Sequence, residues 1–428
     1  MTRIISFRLS PTVRRFCAIA GLVASASLAG CQTAPQVTSP TVPVAPATGQ
    51  TVNVAPPTNP LTSDDPSFTR LGNIPASKTP VRVGLLLPFS NGSAQTRLLA
   101  ASMMKAAQLA MFDAGNPSII LLSADEGSTP ESAANGARSL LAQGAEVIVG
   151  PLFSASVNAV APIAHNRAVP VISFSTDKAV AGNGVYLLSF QPENEVRRII
   201  GYAASQGHKN FAALVPASSY GQHITGAVKD QATADGAQVV DVEKLDPATA
   251  NVSIKAIAAS NADAVLVAAG GNALRELAPS LAEGGLDPAK VKILGTGVWY
   301  DPANNAETAL EGGLFAAPAP NAADAFNAKY RAAFGATPPQ LATLSYDAVA
   351  LVALLSSGEA YHRFTANALT DPNGFAGIDG IFRFNADGTS ERGLAILAVS
   401  PDGFRVVDPA PTTFEKPADA PPPPKTGS

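Results

Sequence analysis

The stretch from Glu146 to Asp177 leaves this chain few folds to choose from. Val147-Ile148-Val149 is a short apolar run that breaks at Gly150-Pro151. Val157, Val160, Ala161 and Ala164 follow at three- and four-residue spacing, which predicts a helix with one apolar face. Ser154 is the expected N-cap of that helix, because a serine hydroxyl accepts an orphan backbone N–H. Val169 to Ser173 is a second apolar run, broken by Phe174-Ser175-Thr176. A strand, a helix and a strand within about 30 residues make a parallel βαβ crossover. Open parallel sheets place ligands at the carboxyl ends of their strands. Both strand ends here are aromatic and rich in hydroxyls, so Phe153, Ser154, Phe174, Ser175 and Thr176 are candidate contacts for a small molecule.

The same alternation continues on either side. Val81 to Leu87 predicts a strand ended by Pro88, followed by a helix with Leu99, Met103, Ala106 and Ala110 on one face. Ser118 to Ser123 is the next strand. Thr129-Pro130-Glu131 opens a helix with a cap, a first-turn proline and an acid near the positive end of the dipole. Val185 to Phe190 is a further strand. From Pro192 the pattern repeats, starting with a helix that carries Val196, Ile199, Ile200 and Ala203. Strands are expected at Phe211 to Val215, Val239 to Val242, Ala264 to Ala268 and Val291 to Leu294. Tyr220 opens a helix directly after a strand end, and Trp299 follows the last of these strands, so both join the candidate ligand contacts. Helices over residues 322–334 and 341–356 come next. Ile381 to Phe384, Leu394 to Val399 and Phe404 to Val407 then read as strands, with turns at Asp387-Gly388 and Asp402-Gly403. The expected fold is α/β: two parallel sheets in succession, with a cleft between their strand ends.

The amino terminus has a different character. Arg3, Arg8, Arg14 and Arg15 precede an apolar segment, Phe16 to Ala29, too short to span a bilayer. A basic region, an apolar region and small residues make a signal peptide, expected over residues 1–30. Residues 32–80 are rich in Pro, Thr and Ala and lack periodicity, which predicts a disordered tether. Residues 409–428 read as a disordered tail. The net charge of −4 over 428 residues argues against nucleic acid as a partner. Cys17 and Cys31 are the only cysteines, so the expected folded part has no thiol for disulfides, metal sites or nucleophilic catalysis.

Several of these segments resemble known families. Leu28-Ala29-Gly30-Cys31 resembles the bacterial lipobox. That resemblance implies cleavage before Cys31, lipidation of Cys31 and attachment to a membrane through lipid alone. Gln32 in second place, where enteric inner-membrane lipoproteins carry aspartate, implies the outer membrane. Val149-Gly150-Pro151-Leu152, Val169 to Ser173, Pro216 to Gly221 and Ser345-Tyr346-Asp347-Ala348-Val349 together resemble the type I periplasmic binding proteins. The nearest branch is the leucine/isoleucine/valine-binding group. The resemblance implies two Rossmann-like lobes joined by three hinge crossings, with a ligand in the cleft and an ABC permease as partner. Lobe one would hold residues 81–195 plus 318–357, and lobe two 196–317 plus 358–408. Ser154, Ser175 and Thr176 match the positions that hold a ligand carboxylate in that family, and Tyr220 matches its cleft tyrosine. The family's acidic residue after the last cleft strand of lobe two is replaced here by Gly297-Val298-Trp299. Burying an ammonium without a countercharge is costly.

A second resemblance covers Leu188 to Glu195 and Gly380 to Leu394. These stretches are similar to the outer-membrane lipoprotein activators of penicillin-binding proteins (the LpoA type), which implies contact with a peptidoglycan synthase. The helical-repeat domain of those activators is missing here. Enzyme motifs are scarce. Ser102-Met103-Met104-Lys105, Ser156-Val157-Asn158 and Lys425-Thr426-Gly427 imitate the penicillin-interacting serine enzymes, but the third must lie on a core strand and here follows four prolines. His165, His208, His223 and His362 are scattered without metal-ligand spacing. The expectation is a non-catalytic envelope lipoprotein with no cofactor and no metal, binding a small polar ligand.

Overall fold

The computed structural model describes residues 68–72, 74, 78–246, 248–288 and 290–414. The signal peptide, Cys31 and most of the tether lie outside the described residues.

Six strands build a first sheet: β1 (Phe68–Arg70), β2 (Val81–Leu87), β3 (Ile119–Asp125), β4 (Val147–Val149), β5 (Val171–Ser173) and β6 (Val185–Leu187). Their order is β1-β3-β2-β4-β5-β6, parallel except for β1. Every residue of β2 is buried, as a central strand covered on both faces requires. Helices α1 (Ala94–Ala114), α2 (Pro130–Ala142) and α3 (Ser154–His165) supply the covering. The expected Thr129 cap accepts the N–H of Ser132 at 3.2 Å. Gly84 lets α2 come close, since a Cβ there would lie 2.9 Å from Leu140 Cδ1.

The second sheet follows α4 (Pro192–Ser205). It comprises β7 (Asn210–Pro216), β8 (Gln238–Leu245), β9 (Ala264–Val267), β10 (Lys292–Gly295) and β11 (Leu314–Ala317), all parallel. Between them run α5 (Ser219–Ala234), α6 (Ala250–Ala259) and α7 (Gly271–Glu283). Val196, Ile199, Ile200 and Ala203 of α4 are all buried against one face, as their spacing predicts.

The chain then returns to the first lobe. α8 (Asp324–Phe334) and α9 (Ala342–Leu355) pack there, with Phe326 beside Ala106 and Leu344, Ala348 and Val352 beside Met103. Beyond α9 lie α10 (Ala366–Leu369), β12 (Phe382–Phe384) and β13 (Ser390–Arg392), the last two an antiparallel pair. Finally β14 (Ala395–Ser400) and β15 (Gly403–Asp408) join the second sheet, whose order is β15-β14-β11-β10-β9-β7-β8.

Three expectations need correction. The second lobe was expected to resume at residue 358, but Phe364, Leu369, Phe375, Phe382 and Phe384 belong to the core of the first lobe. These residues cover apolar surface left by β2, α1 and α9, and the chain returns to the second lobe at Gly393. The tether was expected to run unstructured to residue 80, but Phe68–Arg70 pairs antiparallel with β3, whose outer edge would otherwise offer unpaired backbone groups. The tail was expected to start at Pro409, yet the Pro409 carbonyl accepts from Arg198 at 3.3 Å and the Phe414 ring lies 4.5 Å from the Arg383 guanidinium.

Candidate functional site

Three segments join the lobes. Ser189 to Gln191 links β6 to α4, a second segment links β11 to α8, and Gly393 links β13 to β14. The first and third are fastened together. The Arg392 guanidinium lies 4.8 Å from the Phe190 ring, and Asn194 Nδ2 donates to the Ser390 carbonyl at 2.8 Å. Arg392 is buried with Asp347, whose Oδ2 lies 3.8 Å away. Burial pushes the Asp347 carboxyl up to about 7, against the opposing pull of Arg392.

The carboxyl ends of the two sheets face one space of about 280 Å³. Ser154, Thr176 and Asp177 line it from the first lobe, and Ser219, Tyr220 and His223 from the second. An adjoining hollow of about 450 Å³ in the first lobe brings together Phe153, Ser154, Phe174, Ser175 and Thr176. All five first-lobe residues expected from sequence therefore converge. Ser189 Oγ also lines this hollow, buried and without a hydrogen-bond partner.

Ser154 does not cap α3. The N-cap is Phe153, whose side chain has no acceptor. The buried carboxylate of Glu126 takes over, accepting the N–H of Leu152 at 2.8 Å and of Phe153 at 3.0 Å. Ser154, the first residue of the helix, thus keeps its hydroxyl free of capping duty. Ser175 is more committed: its Oγ accepts the N–H of Asp177 at 3.1 Å, and its own N–H donates to Ser173 Oγ at 3.1 Å. Asp177 in turn accepts from Ala179 at 3.0 Å. Thr176 is exposed at the lip.

In the second lobe, Ser218 caps α5 and so fixes Tyr220 in its first turn. Tyr220 Oη lies 2.7 Å from Thr296 Oγ1 at the end of β10. Burial, with a smaller contribution from Glu195, pushes the phenol up to about 12, so it stays a hydrogen-bonding hydroxyl. Trp299 is not a cleft residue. The turn after β10 swings its ring into the core, where it is fully buried and its Nε1 donates to the Val267 carbonyl at 3.0 Å. Gly295 makes the room, since a Cβ there would lie 2.2 Å from the indole.

Sequence reasoning missed the charged groups around the cleft. Glu195, in the first turn of α4, accepts the N–H of Gly297 on Oε2 at 2.8 Å. Burial, reinforced by Glu193, pushes its carboxyl up to about 8 despite that hydrogen bond. Glu193 Oε1 lies 2.8 Å from His223 Nδ1 and 3.6 Å from Lys178 Nζ, a first-lobe cation. The signal present was Pro192-Glu193-Asn194-Glu195, but two acids in a first helical turn read equally well as partners of the helix dipole. Among the described residues no group of three or more His, Cys, Asp or Glu side chains is placed to hold a metal ion.

Known proteins share this fold. A leucine-binding protein from Thermotoga maritima MSB8 is 20% identical, covering 77% of this chain and 98% of its own, with a TM-score of 0.54. A branched-chain amino acid ABC transporter periplasmic ligand-binding protein from Burkholderia xenovorans LB400 is 19% identical, covering 76% and 94%, with a TM-score of 0.61. An ABC-transporter solute-binding protein from Rhodopseudomonas palustris BisB5, in complex with 3,4-dihydroxybenzoic acid, is 22% identical, covering 78% and 97%, with a TM-score of 0.55. An uncharacterized protein of Rickettsia prowazekii (strain Madrid E) is 26% identical over 113 residues, 26% of this chain and 30% of that protein's length. Residues 80–403 match the family described as periplasmic binding protein. With two α/β lobes, a three-segment hinge and a cleft between strand ends, the chain belongs to the periplasmic binding protein family and has its type I fold.

Proposed function

We propose that this chain is a non-catalytic receptor that closes its two lobes on a small amino-acid-like or peptide-like ligand and delivers it to an ABC permease. The observation that carries the reading is the single space lined by Ser154 and Thr176 on one side and Tyr220 on the other. Ser154 and Thr176 offer hydroxyls to a ligand carboxylate, assisted by the backbone at the start of α3 and after β5. Glu195 provides what the end of β10 lacks, a carboxylate for a ligand ammonium. The names of two of the similar proteins, a leucine-binding protein and a branched-chain amino acid ABC transporter periplasmic ligand-binding protein, support this class of ligand. Cys31 would tether the receptor by lipid on the periplasmic side, with the outer membrane favoured by Gln32. Among the described residues no helix is long and apolar enough to cross a membrane.

The test is a thermal-shift screen of the protein against amino acids, short peptides and peptidoglycan fragments. A ligand at 100 times its dissociation constant adds about 2.7 kcal/mol of stability. A shift that Ser154→Ala and Tyr220→Ala abolish supports the receptor reading, and a flat response across the panel counts against it.

A second reading is an activator of a peptidoglycan synthase. The two stretches that resemble such activators are fastened to each other at the hinge by Asn194–Ser390 and Phe190–Arg392. Co-purification with a penicillin-binding protein, unaffected by Tyr220→Ala, is the outcome that would favour it.

A further inference from the structure

Beyond Tyr220 the second lobe contains a cavity of about 630 Å³ at the carboxyl ends of β7, β8 and β9. Its origin is visible in the chain. β9 runs out into Ala268-Ala269-Gly270-Gly271-Asn272-Ala273, where no side chain exceeds asparagine. The backbone itself comes close to the wall there, for a Cβ on Gly270 would lie 2.8 Å from Val298 Cβ. Leu245, Ala250, Leu277 and Val298 line the remaining sides. The polar residues of the lining, Asn251, Glu276 and Ser280, lie on α6 and α7. Tyr220 lines both this cavity and the inter-lobe space, so it stands where the polar space and the apolar one meet.

A mostly apolar recess of this size, continuous with a few placed polar groups, is the usual shape of a small-molecule site. We propose that the cavity receives an uncharged apolar arm of the ligand, and that the ligand is an elongated, amphipathic amino-acid-like molecule whose arm is longer than the side chain of leucine. The inference rests on the receptor reading and deepens it. The polar head sits between Ser154 and Tyr220, and the arm passes the Tyr220 ring toward Ala269 and Leu277. Small residues after β9 select for length, while the Val298 side limits width.

The experiment is a calorimetric titration of the whole protein with unbranched L-2-amino acids, from alanine to 2-aminooctanoate. Each methylene that enters the cavity should tighten binding by about fourfold. Ala273→Phe and Val298→Phe, both at exposed positions of the wall, should remove that length dependence, with melting curves confirming that each variant is folded. Equal affinity along the series leaves the receptor reading standing and overturns the apolar-arm inference. A length dependence that survives in both folded variants overturns the placement of the arm in this cavity. Absence of binding by every member overturns the inference and the amino-acid-like reading together.

Discussion

Glu195 and Gly297 are 102 residues apart in sequence, yet the carboxylate of the first accepts the N–H of the second at 2.8 Å. The pair depends on the glycine, because a Cβ at position 297 would come within 2.5 Å of Glu195 Oε1. An acid is thus delivered from the hinge helix α4 to the end of β10, where the chain's own strand carries none.

The first prediction follows from the acidity of that group. Its carboxyl is raised from the ordinary 4.5 to about 8 by burial. The folded state therefore holds a proton that the unfolded chain gives up between those values. Stability from this group is fully present below about pH 4.5 and is lost as pH rises toward 8. Melting temperature measured from pH 5 to 8 should fall, and Glu195→Gln should flatten that part of the profile.

Ligand binding should show the same group. An ammonium beside Glu195 favours the ionised carboxylate, so binding at pH 7 should release a proton. Titration calorimetry in two buffers of different ionisation enthalpy measures this directly. Glu195→Gln should abolish the difference between the buffers.

Glu193 tunes the window. Its charge is among the causes that raise Glu195. Glu193→Gln should shift the pH dependence of melting toward lower pH. Lys178→Ala should change stability by only about 0–1 kcal/mol, because the lysine side chain is 56% exposed.

Tyr220→Phe separates the hydroxyl from the ring. Thr296 is fully buried and would lose its partner, at a cost of about 1–3 kcal/mol. The ring, which lines both the cleft and the apolar cavity, would remain. Chemical denaturation should register the loss, whereas Tyr220→Ala should also strip the ring from both walls and weaken ligand binding further.

Trp299→Ala should behave as a core truncation. The indole is fully buried between Phe315 and the Gly295 backbone, so its loss should cost about 3–5 kcal/mol. Denaturant midpoint is the readout, and Trp299→Phe should recover much of the loss.

The alternation of apolar runs carried most of the fold, because buried parallel strands and their covering helices leave a periodic record. Val147-Ile148-Val149 and α4 are good examples. The first-lobe lip was legible for the same reason: Phe153 to Ser154 and Phe174 to Thr176 sit where β4 and β5 end. Trp299 was misjudged because position after a strand does not reveal which way a tight turn sends the side chain. Glu195 was legible only as an acid in a first helical turn, because its partner lies 102 residues away, on an element reached only through tertiary packing. The Phe364 to Phe384 segment was misassigned because aromatic residues mark a core without saying which one.

The interleaving of the lobes dictates when each can exist. The first lobe needs α9 and the aromatic segment up to Phe384, and the second sheet keeps β11 as a bare edge until β14 arrives. Neither half can therefore close around a finished core until nearly the whole chain has emerged. A polypeptide threaded through an export channel would meet no folded obstacle behind it. A stop codon placed before β14 would leave an open, aggregation-prone strand edge in place of a smaller working protein.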